Sequence, residues 1–422
     1  MSSVERYIVH GGQRLAGTVR VAGMTKNAAL KQMAAALLAP GTTVLRNITR
    51  VIDLDVMIEL LRGIGATVDW PEPDVLRLEV QAELEPEAPY ELVSRMRASI
   101  NVLGPLLARR GHARVAMPGG DNIGSRKLDM HFAGLEAMGV ELEVVHGFIE
   151  ARCNALCGAR VVLDFPSVGA TETVLTTAVL AKGSTVIENA AREPEVCDLA
   201  AFLSEMGATI SGAGTSTIEV EGVEGLNPVD HTVIGDRIEA GTLLMACGAA
   251  GGAITVQGIE LDHVEAVVRK LVEMGMVITP THDGIMARAD ERLRAVDVQT
   301  LPYPGFATDF MPLAVAVLAR AEGTALVTEN IFDNRFAFID ELKRMGADVR
   351  TEGRHAIVRG VERLTGAPVR AHDVRAGAAL VLAALGATGE TTVLDVRHVD
   401  RGYADLPAKL RTLGADVERA EA

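Results

Sequence analysis

Leu203-Ser204-Glu205-Met206-Gly207-Ala208-Thr209-Ile210 is the stretch that decides the fold, because its pattern returns five more times along the chain. A leucine, two variable residues, an apolar residue that is usually methionine, a glycine, usually an alanine and then a strand-like pair recur at 61–68, 135–142, 271–278, 342–349 and 410–417. Successive copies of the glycine lie 68 to 74 residues apart. That period is too long for a solenoid and too regular for chance, so it marks a globular unit built six times. Ahead of each copy runs a second ladder: a polar start, an Ala/Leu-rich helical run, an exit glycine and a β-branched strand. The exit glycines are Gly41, Gly111, Gly183, Gly252, Gly323 and Gly389. One unit is therefore helix, strand, helix and paired strands, which predicts an α/β (α+β) protein with three units in each of two domains.

Composition sets the class. The 422 residues are 48% hydrophobic, enough for two cores. No N-terminal segment reads as a charged start, apolar core and cleavage site, and the longest apolar stretch, 243–256, is short and rich in glycine and alanine. Four cysteines (Cys153, Cys157, Cys197, Cys247) are too few and too irregular for a disulfide framework or a zinc site, and read as buried or incidental thiols. The expectation is a cytoplasmic protein, most simply a monomer. A net charge of -15 argues against nucleic acid or an anionic membrane as partner. It leaves room for a small anionic ligand in a locally basic site.

The polar starts of the first helices hold Lys26, Asn27, Arg97, Asp309 and Arg375, where unpaired backbone N–H groups and the helix dipole favour anions. The turns before the second helices hold Arg126, Arg192, Arg335 and Arg401. Any single arginine taken alone reads first as a helix cap or a surface ion pair. As a set they point to anion binding, because capping alone would select Ser, Thr, Asp or Asn. Residues 117–126 form a loop with Gly119, Gly120 and Gly124 flanking one carboxyl group, Asp121. Such a loop suits either a mobile general acid or a surface turn with a capping aspartate.

The motifs Lys26-Asn27-Ala28-Ala29-Leu30, Met96-Arg97-Ala98-Ser99, Pro118-Gly119-Gly120, Ser167-Val168-Gly169-Ala170-Thr171, Asp236-Arg237-Ile238-Glu239, Thr308-Asp309, Asn334-Arg335-Phe336 and the run from His398 to Tyr403 stand in order over essentially the whole chain. Together they resemble the enolpyruvyl transferase family, in the branch whose acceptor is UDP-N-acetylglucosamine. The resemblance implies two inverse α/β barrel domains, 22–234 and 1–21 plus 235–422, with the active site in the cleft between them. It also implies transfer of the enolpyruvyl group of phosphoenolpyruvate to the sugar 3'-hydroxyl with release of phosphate, and neither metal nor organic cofactor.

By position the resemblance makes Asp121 the acid that protonates the methylene carbon and Asp309 the acceptor of the hydroxyl proton. Lys26, Asn27, Arg126, Arg335, Arg375 and Arg401 would hold phosphoenolpyruvate, with Lys26 and Arg401 also carrying developing charge. Asn27, Arg97, Arg126, Lys127, Leu128, Asp129, Met130, Phe165, Pro166, Ser167, Val168, Gly169, Asp309 and Ile331 would hold the uridine nucleotide sugar.

Four positions depart from the family's usual pattern. Asp121 stands where most members have cysteine, which predicts resistance to fosfomycin, an epoxide that alkylates a thiolate. Lys127 replaces a proline, one additional residue precedes Lys26, and Ala307 replaces a proline before Thr308. These changes keep two alternatives open: a specialised transferase using another uridine acceptor such as UMP, as in nucleoside-antibiotic assembly, and a non-catalytic nucleotide-sugar binder. A 5-enolpyruvylshikimate-3-phosphate synthase fits less well, since Thr25-Lys26-Asn27 replaces that branch's Ser-Lys-Ser.

Overall fold

The computed structural model describes residues 5–120, 123–124 and 127–421; Asp121 and Arg126 lie outside the described residues. All six repeated glycines sit where a helix ends. Gly65, Gly139, Gly207, Gly275, Gly346 and Gly414 have φ between +87° and +116°, the left-handed region where a side chain costs about 1–2 kcal/mol. In five copies the amide after the glycine returns to the carbonyl of the leucine that opens the phrase: Val140 to Leu135 (3.1 Å), Ala208 to Leu203 (3.0 Å), Met276 to Leu271 (3.0 Å), Ala347 to Leu342 (3.2 Å) and Ala415 to Leu410 (3.0 Å). The phrase is thus a Schellman motif followed at once by a strand.

The chain divides into two compact units. One, the Lys26 unit, comprises 23–121 and 126–234; the other, the Asp309 unit, comprises 1–22, 122–125 and 235–422. Ala22 belongs with the Asp309 unit because its N–H donates to Glu239 Oε2 (2.7 Å) and its carbonyl accepts from the Asp236 amide (2.8 Å). The same unit includes Ile123, whose carbonyl accepts from the Asn334 amide at 3.3 Å.

Among the described residues each unit has three four-stranded sheets, with one parallel and two antiparallel pairings in each. The repeat read from sequence supplies three strands; the fourth is a short edge strand such as Glu87–Ala88, Arg160–Val162 or Pro368–Arg370. Two or three residues give too short a pattern to read. The Asp309 unit closes with strands from the N-terminal segment: Glu5–His10 sits between Glu390–Leu394 and Asp416–Glu421, and Leu15–Arg20 pairs parallel with Gly252–Gln257. Asp230–Thr232 pairs with Gly41–Arg46 in the Lys26 unit.

The helices that follow the polar starts are largely buried. Val374–Leu385 and Met311–Leu318 are buried at every position, as expected of helices that are apolar all round. They pack with Arg237–Ala250, and their N-terminal ends converge, since Asp309 touches Arg375 and Arg375 feels Asp236. At the other end Arg320 Nη1 donates to the carbonyl of Ala249 (3.0 Å), placing positive charge on helix C-termini. Arg109 does the same in the Lys26 unit, bonding the Leu37 carbonyl at 2.9 Å.

Candidate active site

Parallel inner helices put several uncompensated N–H groups and dipole ends at one end of each unit, and the polar residues picked out by sequence lie there. Three of the six starts have side-chain caps. Asp236 accepts from the amides of Ile238 (2.8 Å) and Glu239 (3.1 Å), Asp373 from those of Arg375 (2.8 Å) and Ala376 (3.0 Å), and Ser167 from that of Ala170 (3.3 Å). The starts at Lys26, Arg97 and Asp309 have no side-chain cap.

In the Asp309 unit the centre is one carboxylate between two arginines. Arg335 Nη2 (3.2 Å) and Arg375 Nε (3.1 Å) both donate to Asp309 Oδ1. Burial by itself would push the Asp309 pKa up, but Arg375 and then Arg335 hold it well below the ordinary carboxylate range. Both arginines are 4% exposed, and Arg335 Nε and Arg375 Nη1 are buried with no partner among the described residues. Buried guanidinium donors are rarely left unused, so these mark where an anion would bind. The Arg375 guanidinium lies over the Tyr403 ring (5.2 Å to centroid), and Tyr403 Oη is 2.8 Å from Thr242 Oγ1. Burial raises Asp236 to about 6, against the pull of Arg375. Arg401 follows the short helix Arg397–Asp400, within the same unit.

In the Lys26 unit two lysines are held by buried acids. Lys26 pairs with Asp53, which is 1% exposed. Lys31 donates to Glu172 Oε1 (3.0 Å) and to the Asn27 carbonyl (3.1 Å), and Asn101 Nδ2 reaches Glu172 Oε2 at 3.4 Å. Glu172 therefore ties together the three inner helices that begin near Lys26, Arg97 and Ser167. Arg97 Nη2 lies 3.5 Å from the carbonyl of Lys127, whose side chain is exposed. Leu128 precedes the helix Asp129–Ala137, which contains Met130. Phe165 is 39% exposed and its carbonyl accepts from the Ser167 amide (2.6 Å). Gly169 lies over the His131 ring; a Cβ there would stand 3.1 Å from Cε1 and Nε2. Burial, then Arg97, lowers His131 to about 4, so it is a neutral ring 2.9 Å from Thr173 Oγ1.

The structure brings Asp309, Arg335 and Arg375 into direct contact; for Asp121 and Arg126, which lie outside the described residues, it supplies no geometry. A model of the family described as EPSP synthase (3-phosphoshikimate 1-carboxyvinyltransferase) matches residues 9–410. The chain belongs to that family. It is 51% identical over 417 residues, 99% of each chain, to a UDP-N-acetylglucosamine 1-carboxyvinyltransferase of Corynebacterium jeikeium. It is also 51% identical over 420 residues, 98% of each, to one of Nocardia farcinica. Among solved structures, the enolpyruvyl transferase NikO from Streptomyces tendae is similar over 100% of both chains at 28% identity and TM-score 0.88. An EPSP synthase from Acinetobacter baumannii shares the fold at 17% identity and TM-score 0.73, over 99% of this chain and 100% of that one.

Two departures from the family pattern have structural explanations. The additional residue before Lys26 is taken up by one π-helical turn, Thr25–Ala29, in which the Ala29 amide reaches back to the Met24 carbonyl at 3.1 Å. Ala307 holds φ at -65°, the value a proline ring would impose. Gly119 and Gly120, in the loop whose sequence suits either a mobile acid or a surface turn, are packed: a Cβ on Gly119 would strike the Ser94 carbonyl at 1.7 Å, and one on Gly120 would meet Arg97 Cβ at 3.1 Å. Of the four free thiols Cys247 is buried and Cys157 exposed, within the reading of buried or incidental thiols. Sequence reasoning passed over Asp53, Glu172 and His131. The two acids sit in apolar helical runs and read as ordinary helix polar positions; only packing shows whose charge they hold.

Proposed function

We propose that this protein is a UDP-N-acetylglucosamine 1-carboxyvinyltransferase, the enzyme that commits the sugar nucleotide to peptidoglycan precursor synthesis. The observation that carries the reading is Asp309, a base held between two arginines whose Nε and Nη1 donors have no partner among the described residues, in a chain about half identical along its full length to enzymes of that name. Phosphoenolpyruvate brings a phosphate and a carboxylate, and Arg335 and Arg375, with Lys26, Arg126 and Arg401, are the cations for them. Asp121 donates a proton to the methylene carbon, leaving positive character at the neighbouring carbon. The sugar 3'-hydroxyl bonds to that carbon as its proton passes to Asp309. A methyl proton then passes to the Asp121 carboxylate, re-forming the double bond while the carbon–oxygen bond to phosphate breaks and phosphate leaves.

In this reading the two arginines beside Asp309 set its basicity. The Arg375 and Arg335 guanidinium groups hold its pKa low. When an anionic substrate shares those groups, their pull on Asp309 weakens and its proton affinity rises. For the acceptor, Asn27, Arg97, the segment from Arg126 to Met130, the segment from Phe165 to Gly169 and Ile331 supply the contacts. Among the described residues no helix is long and apolar enough to cross a membrane. A cytoplasmic monomer acting on small molecules, without nucleic acid or membrane, fits the four unpaired thiols and the acidic net charge.

The test is phosphate release from phosphoenolpyruvate with UDP-N-acetylglucosamine and, in parallel, with UMP. Release with the sugar nucleotide, abolished in Asp121→Ala, supports the reading; release only with UMP would transfer the protein to another acceptor. Fosfomycin should leave turnover intact and add no mass, since a carboxyl group is a poor target for its epoxide.

A further inference from the structure

Glu329 follows the strand Thr324–Thr328 and is completely buried. Its carboxylate accepts four hydrogen bonds. Oε1 takes the Ile331 amide (2.8 Å), the Phe332 amide (3.0 Å) and the Thr300 hydroxyl (3.0 Å), and Oε2 takes the Thr308 hydroxyl (2.9 Å). Three of these lead to site residues. Thr308 immediately precedes Asp309, Ile331 is an acceptor contact in the proposed reading, and the Phe332 ring lies 5.7 Å from the Arg335 guanidinium.

The internal repeats show that the fold does not need a buried acid here. Six residues after the exit glycine the other repeats place Asn47, Met117, Asn189, Gly258 and Asp395. Four of these five have φ between +55° and +78°: Asn47 +60°, Asn189 +55°, Gly258 +78° and Asp395 +57°. The general solution at this strand exit is a left-handed residue that is glycine or short and polar. Glu329 is not in that region. One repeat has replaced a turn residue with a buried carboxylate, at desolvation cost, beside the catalytic base.

We propose that Glu329 is a positioning residue for enolpyruvyl transfer: through Thr308 and the Ile331–Phe332 turn it sets the base and the acceptor in register. This rests on the reading of the acceptor site given above. The variants Glu329→Ala, Glu329→Gln and Thr308→Val, measured beside wild type for kcat, for KM of each substrate and for thermal unfolding, test it. Glu329→Ala loses both links, so kcat should fall about 30-fold and acceptor KM rise several-fold, within what an ångström of misplacement costs. Glu329→Gln keeps an oxygen for Ile331, Phe332 and Thr300 but offers Thr308 an amide, so kcat should fall with acceptor KM within about twofold. Thr308→Val should match that kcat loss, and the double variant Glu329→Gln/Thr308→Val should be no worse than either single one.

A lowered unfolding temperature with kcat and both KM values within twofold of wild type would reduce Glu329 to a structural role, as would independent, multiplying losses in the double variant. If Glu329→Ala does not fold, the other two variants decide. Wild type that is silent with UDP-N-acetylglucosamine would overturn the functional reading itself, and this inference with it, whereas active wild type with unaffected variants overturns this inference alone.

Discussion

The two units hold the cations that sequence picked out, Lys26 in one and Arg335 and Arg375 in the other, in different ways. In the Lys26 unit two lysines have buried acids: Asp53 for Lys26 and Glu172 for Lys31. In the Asp309 unit a single carboxylate oxygen serves two guanidinium groups, and each arginine retains a buried donor with no partner among the described residues. Paired charge fixes geometry and shared charge leaves attraction over for a substrate, so the first arrangement is suited to orienting and the second to binding an anion. Residue type follows: a lysine ammonium is a point charge that one acid can hold, while a guanidinium fork can keep one edge on Asp309 and offer the other.

The comparison breaks most visibly at its centre. Asp309→Asn should lower kcat for phosphate release about 10³-fold, with a smaller change in phosphoenolpyruvate KM, because it removes the base but keeps both arginines. An unchanged kcat would relocate the base. Arg375→Lys, read in kcat/KM for phosphoenolpyruvate, should cost about 100-fold, since a lysine cannot bond Asp309 and an anion from a planar fork. If lysine serves as well as arginine, the shared-charge account of that unit fails.

Asp53→Asn tests the other side. It removes the acid that fixes Lys26, and turnover should fall about tenfold, a smaller loss than at Arg375, with a lower unfolding temperature. A loss exceeding that of Arg375→Lys would reverse the assignment of orienting and binding roles.

The smallest effect is a pH dependence confined to the Lys26 unit. His231 bridges Asp198 (3.1 Å) and Glu205 (2.8 Å); burial opposes its charge, but the two acids win and raise its pKa above the ordinary value of 6.5. A raised folded pKa contributes stability that is fully present below about 6.5 and is lost as pH rises through the folded value. Unfolding temperature should therefore drop by about 2–4 °C across that window, and His231→Asn should flatten the drop. A wild-type curve with no slope there would show that the bridge contributes nothing to folding.

Much of the architecture was readable from residues alone, because it depends on local chemistry repeated six times. A glycine that must be left-handed, a leucine three positions before the helix end and an apolar run without a polar face are properties of short segments, so Leu203 to Ile210 and its copies disclosed the repeat, the helix ends and the strands that follow. The same local logic marked Lys26, Arg97, Asp309, Arg335 and Arg375 as candidates. Tertiary structure alone decided which charges meet. Nothing in the spacing of Asp53 and Lys26, of Asp309 and Arg375 sixty-six residues apart, or of Glu329 and Thr308 shows that they touch, because those contacts join different repeats or elements brought together only by packing. It also decided that Glu5–His10 closes a sheet with Asp416–Glu421, a pairing across almost the whole chain. Local segments encode their own conformation; the energy of a buried charge depends on neighbours that sequence distance does not reveal.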